Sequence, residues 1–177
     1  MDFDSAPQSG GITNMELIQA TTPVQIAHAK SLLLEYANAL DFDLCFQRFD
    51  AELANLPGDY TPPAGRLLLA YINDEPAGSI ALHSWSDAAH PTPSGHNICE
   101  MKRLYVRPSA RGHNLGRQLI DRLISEARNI GYTHMRLDTV VGTMDKAINL
   151  YREYGFCEIP PYRPNPQPRV LYFELKL

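Results

Sequence analysis

The sequence predicts an α/β (α+β) fold, a mixed central sheet flanked by helices, and three observations carry the prediction. Runs rich in β-branched, aromatic and other apolar residues at 66–72, 78–84 and 98–106 read as strands. Apolar residues recur at spacings of three and four elsewhere, as in Leu115, Leu119, Ile120, Leu123, Ile124 and Ala127. The order of elements, strand, two helices, three strands, helix, strand, helix, two strands, suits helices laid on a sheet.

Residues 1–11 read as a flexible polar leader and 12–177 as one domain, because 177 residues carry one substantial core and no repeat or linker divides them. A first strand is expected at 12–18. Thr22-Pro23 starts a helix with the stripe Ile26, Ala29, Lys30, Leu33, Ala37 and Leu40. A second helix is expected over 44–56, where Pro57-Gly58 stops it. The strands at 66–72 and 78–84 are joined by the turn Asn73-Asp74-Glu75-Pro76, and 87–97 forms a surface excursion. The strand at 98–106 ends at Pro108, a helix begins at 114 or 115, and Gly131 closes it. A strand at 133–139, a helix at 144–154 stopped by Gly155, and a strand at 156–159 follow. Pro160, Pro161, Pro164, Pro166 and Pro168 rule out a central strand there and favour a rim loop before the last strand at 170–177.

Composition narrows the function classes. The formal charge is −4, from 16 basic and 20 acidic residues, so a general nucleic-acid footprint is not expected. Asp2 and Asp4 precede any hydrophobic run, and no stretch is long enough to cross a membrane, so a cytoplasmic protein without membrane attachment is expected. Cys45, Cys99 and Cys157 have neither metal-site nor disulfide spacing and read as small hydrophobes. His28, His83, His90, His96, His113 and His134 form no recognisable metal cluster.

The segment 106–117 joins strand to helix through a loop suited to phosphate. Gly112 and Gly116 permit close backbone approach, and free amides at a helix start, aided by the helix dipole, hold a diphosphate. Arg111 and Arg117 add charge-assisted contacts. The plainer alternative is a tight turn with solvated arginines. No Gly-Lys-Ser/Thr is present, and the spacing misses the dinucleotide fingerprint.

Met101-Lys102-Arg103-Leu104-Tyr105-Val106-Arg107-Pro108 followed by Arg111-Gly112-His113-Asn114-Leu115-Gly116 resembles the Gcn5-related N-acetyltransferase (GNAT) superfamily, whose loop reads Arg/Gln-x-x-Gly-x-Gly/Ala. Asn114 stands at the middle glycine. A second stretch, from Met144 to Phe156, resembles the family's C-terminal Asn-x-x-Ala-x-x-x-Tyr and Gly-Phe pattern, with Met144 in place of Asn and Ala147 and Tyr151 retained. The resemblance spans 12–177 and implies a split parallel strand pair that admits acetyl-coenzyme A.

By that resemblance the pantetheine arm runs beside Leu104, Tyr105 and Val106, and the diphosphate lies across Arg111, Gly112, His113, Asn114, Leu115, Gly116 and Arg117. Met144, Ala147 and Tyr151 face the cofactor. Glu100 matches a position that serves as general base in the family, its alternative being an ion pair with Lys102 or Arg103. Tyr151 matches the residue that protonates the departing thiolate, its alternative being aromatic packing. Phe42, Phe46, His83, Trp85, Tyr162 and Arg163 are the acceptor-side candidates. The implied reaction is direct acetyl transfer to a primary amine of a small or amino-acid-like molecule. A peptide or protein acceptor, and a noncatalytic acyl-coenzyme A sensor or interaction domain, are the alternatives. Family behaviour also admits a homodimer.

Overall fold

The computed structural model describes residues 14–44, 48–86 and 96–177. The expected leader, Cys45, Phe46 and most of the 87–97 excursion lie outside the described residues.

Seven strands form one sheet in the order β1-β2-β3-β4-β5-β7-β6. The first, β1 (Met15–Gln19), is antiparallel to β2 (Arg66–Ile72) and lies further along the chain than 12–18. Between them, α1 (Pro23–Asn38) starts from a reciprocal cap: the Gln25 N–H donates to Thr22 Oγ1 at 3.3 Å, and the Thr22 N–H donates to Gln25 Oε1 at 3.0 Å. The second helix is shorter than expected. It spans α2 (Phe49–Asn55), with Arg48 left-handed at φ 56°, and Leu44 packs beside Leu33, Phe49 and Leu53 instead of opening the helix.

The turn between β2 and β3 (Glu75–Ser84) is also corrected. Only Asn73 and Asp74 form it, at φ 50° and 66°, as a two-residue type I′ hairpin requires. Glu75 and Pro76 already belong to β3. Pro76 sits opposite Tyr71 where the register shifts, so its missing N–H falls at an irregular point of the ladder.

Strand β4 (Ile98–Val106) carries the feature that shapes the molecule. It pairs with β3 along most of its length, but its register slips between Lys102 and Tyr105 as Arg103 adopts φ 60°. One extra residue there bends the strand. Its partner on the other side, β5 (His134–Val140), runs parallel only from Ile98 to Glu100, opposite His134 to Arg136. Beyond Glu100 the two strands part, as a split sheet requires.

Helix α3 (Leu115–Ile130) fills one face of the sheet. Leu119, Ile120 and Leu123 are fully buried against Leu68, Ile80 and Leu82, each contributing roughly 1.5–3 kcal/mol. The opposite face packs α1, through Ala29 and Leu32, on Leu67, Leu69 and Ala81. The period-two alternation along β2 supplies both faces at once. Gly131 at φ 99° ends α3, and Gly155 at φ 87° follows α4 (Asp145–Glu153). Strand β7 (Val170–Lys176) inserts between β5 and the short β6 (Cys157–Ile159).

Candidate functional site

Where β4 and β5 part, a cleft of about 970 Å³ opens. Its walls are β4 from Met101 to Val106, the loop and first turn of α3, and the face of α4 that carries Ala147 and Tyr151. The β5-facing peptide groups of β4 past Glu100 have no strand to pair with, so they remain available to a ligand. All the residues expected at a cofactor line this cleft except His113, which is exposed beside it and donates from Nδ1 to the Ala110 carbonyl at 3.4 Å.

The mouth is built for an anion. Asn114 is left-handed, φ 60°, and caps α3 without a side-chain hydrogen bond, so the first-turn amides of the helix keep their donors free. A short polar side chain tolerates that backbone where the family uses glycine. Gly112 is left-handed at φ 86°, and a Cβ there would meet nothing within 4 Å. A Cβ on Gly116 would meet only Val106 Cγ2, at 3.9 Å. The protein therefore leaves both positions open toward the cleft. Leu115 turns its side chain into the core and offers only its backbone. Arg117 pairs with Glu153, and Arg111 Nε donates to the Val106 carbonyl at 3.3 Å.

Deeper in, Tyr151 is 7% exposed, and its hydroxyl has no hydrogen-bond partner among the described residues. Burial, then the neighbouring Tyr36 and Asp138, push its phenol far above the ordinary tyrosine range, so it keeps its proton. Tyr36 of α1 lines the same cleft, its phenol raised by burial to about 12. Tyr105 places its ring edge-on to Tyr36, 6.2 Å between centroids. At the start of α4, Met144 Sδ accepts from the Thr139 hydroxyl at 3.2 Å.

Glu100 does not line the cleft. It is 1% exposed and is the hub of a buried network. Its Oε2 accepts from His83 Nε2 at 2.9 Å and from Arg163 Nη1 at 3.4 Å, and its Oε1 from Tyr162 Oη at 2.8 Å. Burial opposes its ionisation, but Lys102, His83 and Arg163 outweigh burial and hold the carboxyl well below the usual carboxylate range. His83 Nδ1 meets the Ser84 carbonyl at 2.8 Å, so the ring is held at both nitrogens, between that carbonyl and Glu100.

The other acceptor-side candidates separate. Tyr162 is buried between Trp85, Tyr172 and Glu100. Arg163 Nη2 donates to Asp138 at 2.6 Å. His83 and Trp85 line a second hollow of about 530 Å³ with Gly58, Asp59 and Thr61. Phe42 is half-buried against the cluster around Leu33.

Reading along the chain missed Glu52 and Tyr36; it offered Lys102 or Arg103 as an ion-pair partner of Glu100, and Lys102 stands 3.6 Å from that carboxylate while Arg103 pairs elsewhere. Arg103 Nε and Nη2 grip both oxygens of Glu52, at 2.8 and 2.5 Å, and Tyr60 Oη donates to the same carboxylate at 2.7 Å. Burial would pull Arg103 down, but Glu52 outweighs it and the guanidinium stays charged. The charged residues Glu100, Lys102 and Arg103 inside a largely buried strand were the available signal; the partner of Arg103 lies 51 residues away.

Among the described residues no group of three or more His, Cys, Asp or Glu is placed to hold a metal, and no helix is long and apolar enough to cross a membrane. Residues 30–156 match the family model described as Acetyltransferase (GNAT) family. An uncharacterized N-acetyltransferase of Schizosaccharomyces pombe is 37% identical over 166 residues, which cover 93% of this chain and 96% of that one. One from Dictyostelium discoideum is 29% identical over 206 residues, covering 86% and 95%. Among solved structures, an acetyltransferase from Streptococcus agalactiae superposes with a TM-score of 0.73 at 23% identity, over 93% of this chain and 99% of its own.

Proposed function

The chain belongs to the GNAT acetyltransferase family, and from that premise we propose that it moves the acetyl group of acetyl-coenzyme A directly onto a primary amine held in the same cleft. The observation that carries the reading is the junction of three features in one cavity: the edge of β4 that β5 leaves unpaired, the free amides of α3 behind Asn114, and the Tyr151 hydroxyl, which has no hydrogen-bond partner among the described residues.

The residues present fit the cofactor. The α3 amides, with Arg111 and Arg117 at the rim, suit the diphosphate, and the open edge of β4 suits the amide-bearing pantetheine arm as an added strand would. When bound, acetyl-coenzyme A supplies an electrophilic thioester carbonyl.

The chain's own groups then do three things. The cleft brings the acceptor nitrogen to the carbonyl in neutral form; a C–N bond forms, the C–S bond breaks, and the nitrogen gives its proton to water. Peptide N–H groups at the Arg103 bulge stabilise charge developing on the carbonyl oxygen. Tyr151 donates its proton to the departing thiolate and recovers one from solvent. Glu100, already holding three donors and slow to take a proton, acts by fixing His83, Tyr162 and Arg163, not as the base that strips the amine.

Incubation with acetyl-coenzyme A and a panel of primary amines, read by product mass, tests the reading. Acetylated amine whose formation is lost in Tyr151→Phe supports it. Tight cofactor binding without product from any amine favours the sensor alternative.

A further inference from the structure

Lys102 and Arg103 stand at the inner end of the cleft with Arg163 beyond them, and both guanidinium groups are hydrogen-bonded to carboxylates. Arg103 is held bidentately by Glu52, and Arg163 by Asp138 at 2.6 Å and Glu100 at 3.3 Å. Lys102 is different. Its side chain is 9% exposed and lines the cleft, yet its ammonium makes no hydrogen bond among the described residues. The nearest anion is Glu100 Oε2 at 3.6 Å, an oxygen already engaged by His83. An ammonium has three N–H donors, and at Lys102 they face the cleft.

Three cations (Lys102, Arg103, Arg163) face three carboxylates (Glu52, Glu100, Asp138), and each carboxylate is hydrogen-bonded by a donor other than Lys102. Burial pulls the Lys102 ammonium down, Arg163 and Arg103 add to this, and Glu100 and Asp138 oppose it. An acceptor arriving as a simple ammonium, such as a polyamine or a lysine side chain, would bring a positive charge against the Lys102 ammonium. A zwitterion adds no net charge, and its anionic end meets the Lys102 donors.

Building on the acetyl-transfer reading above, we infer that Lys102 is the carboxylate anchor of the acceptor subsite and that the acceptor is an amine bearing a nearby carboxylate, as a free amino acid does. The Lys102 ammonium takes the carboxylate, and the amino group is left at the split in the sheet where the thioester carbonyl arrives. The anchor sits on β4 next to the Arg103 bulge, so one rigid strand sets the spacing between carboxylate and reacting nitrogen.

The test compares free amino acids with their primary amides, glycine with glycinamide and phenylalanine with phenylalaninamide, at saturating acetyl-coenzyme A. The acids are expected to show a kcat/KM higher by about tenfold or more, the effect of one charge-assisted hydrogen bond. In Lys102→Met that preference collapses toward one, and Lys102→Arg, which keeps the charge, restores part of it. The N-acetylated acids should also raise the melting temperature of the wild type more than the N-acetylated amides do, a readout independent of turnover. Circular dichroism of both variants separates misfolding from loss of the anchor. Amides acetylated as well as acids, or a Lys102→Met variant that loses both equally, overturns the inference. Turnover of simple amines without turnover of acids overturns it while leaving the transfer reading intact, whereas cofactor binding with no turnover of any amine removes both.

Discussion

Replacing Glu52 by Ala strips the buried Arg103 guanidinium of its bidentate partner. Arg103 has a side chain 2% exposed, Glu52 one 16% exposed, and two hydrogen bonds of 2.5 and 2.8 Å join them. Breaking a buried pair by removing one partner costs about 3–5 kcal/mol, because the remaining charge is left uncompensated. For a chain of this size that corresponds to a fall in melting temperature of about 6–20 °C. Urea denaturation of wild type, Glu52→Ala and Glu52→Gln measures it, with Gln expected between the other two because it keeps a hydrogen-bond acceptor. The sign with pH is fixed by the pair. The Glu52 carboxyl is lowered in the fold despite its burial, chiefly by Arg103, so its stabilising contribution is present above the unfolded carboxylate range, near about 4.3, and is lost as the pH falls through its folded value. The gap between wild type and Glu52→Gln should therefore be full at neutral pH and close on acidification. A loss under about 1 kcal/mol in Glu52→Ala, the range of an exposed pair, would refute the claim that this ion pair clamps the bulge.

Four further outcomes are expected. Tyr151→Phe should lower kcat by about 100-fold or more if the phenol is the acid, yet leave the unfolding midpoint nearly unchanged, because the hydroxyl has no hydrogen-bond partner among the described residues; a large stability loss with normal kcat would assign it to packing. Glu100→Gln should reduce kcat while the limb of the pH profile that rises toward alkaline pH persists, since that limb belongs to the acceptor amine; disappearance of the limb would restore Glu100 as the base. Asn114→Val should cost about 1–2 kcal/mol in a denaturation curve and weaken acetyl-coenzyme A in calorimetry, with Asn114→Gly close to wild type on both, because only the β-branched residue resists φ 60°. Thr22→Ala should remove about 1 kcal/mol through the lost α1 cap; no change would mean that Gln25 caps the helix alone.

Local chemistry was legible wherever it was self-contained. The strand Ile98–Val106 and the helix Leu115–Ile130 stand where composition and spacing put them, and Gly131 and Gly155 end helices because their left-handed backbones suit glycine. Pro76 misled because a proline inside a strand is tolerated only at an irregular pairing, and that irregularity depends on Tyr71 of the neighbouring strand. The bulge at Arg103 was hidden for a related reason. An arginine adopts φ 60° only because Glu52, Tyr60 and the β3 register hold it there, and none of these is adjacent in sequence. The mouth of the candidate site was readable from its glycines and the motif around them. Its inner end was not, because the environment of Glu100 comes from β3, β4 and the proline-rich loop, and its contacts with His83, Lys102 and Arg163 exist only once these meet.

The central claim is that the split between β4 and β5 is an acetyl-coenzyme A site running from the first turn of α3 to Tyr151. An amide-resolved NMR titration with acetyl-coenzyme A tests it most directly. Saturable shifts confined to 102–106, 111–117 and 144–151 are predicted. Shifts absent there, or centred instead on the hollow lined by Gly58, Asp59 and Trp85, would contradict it.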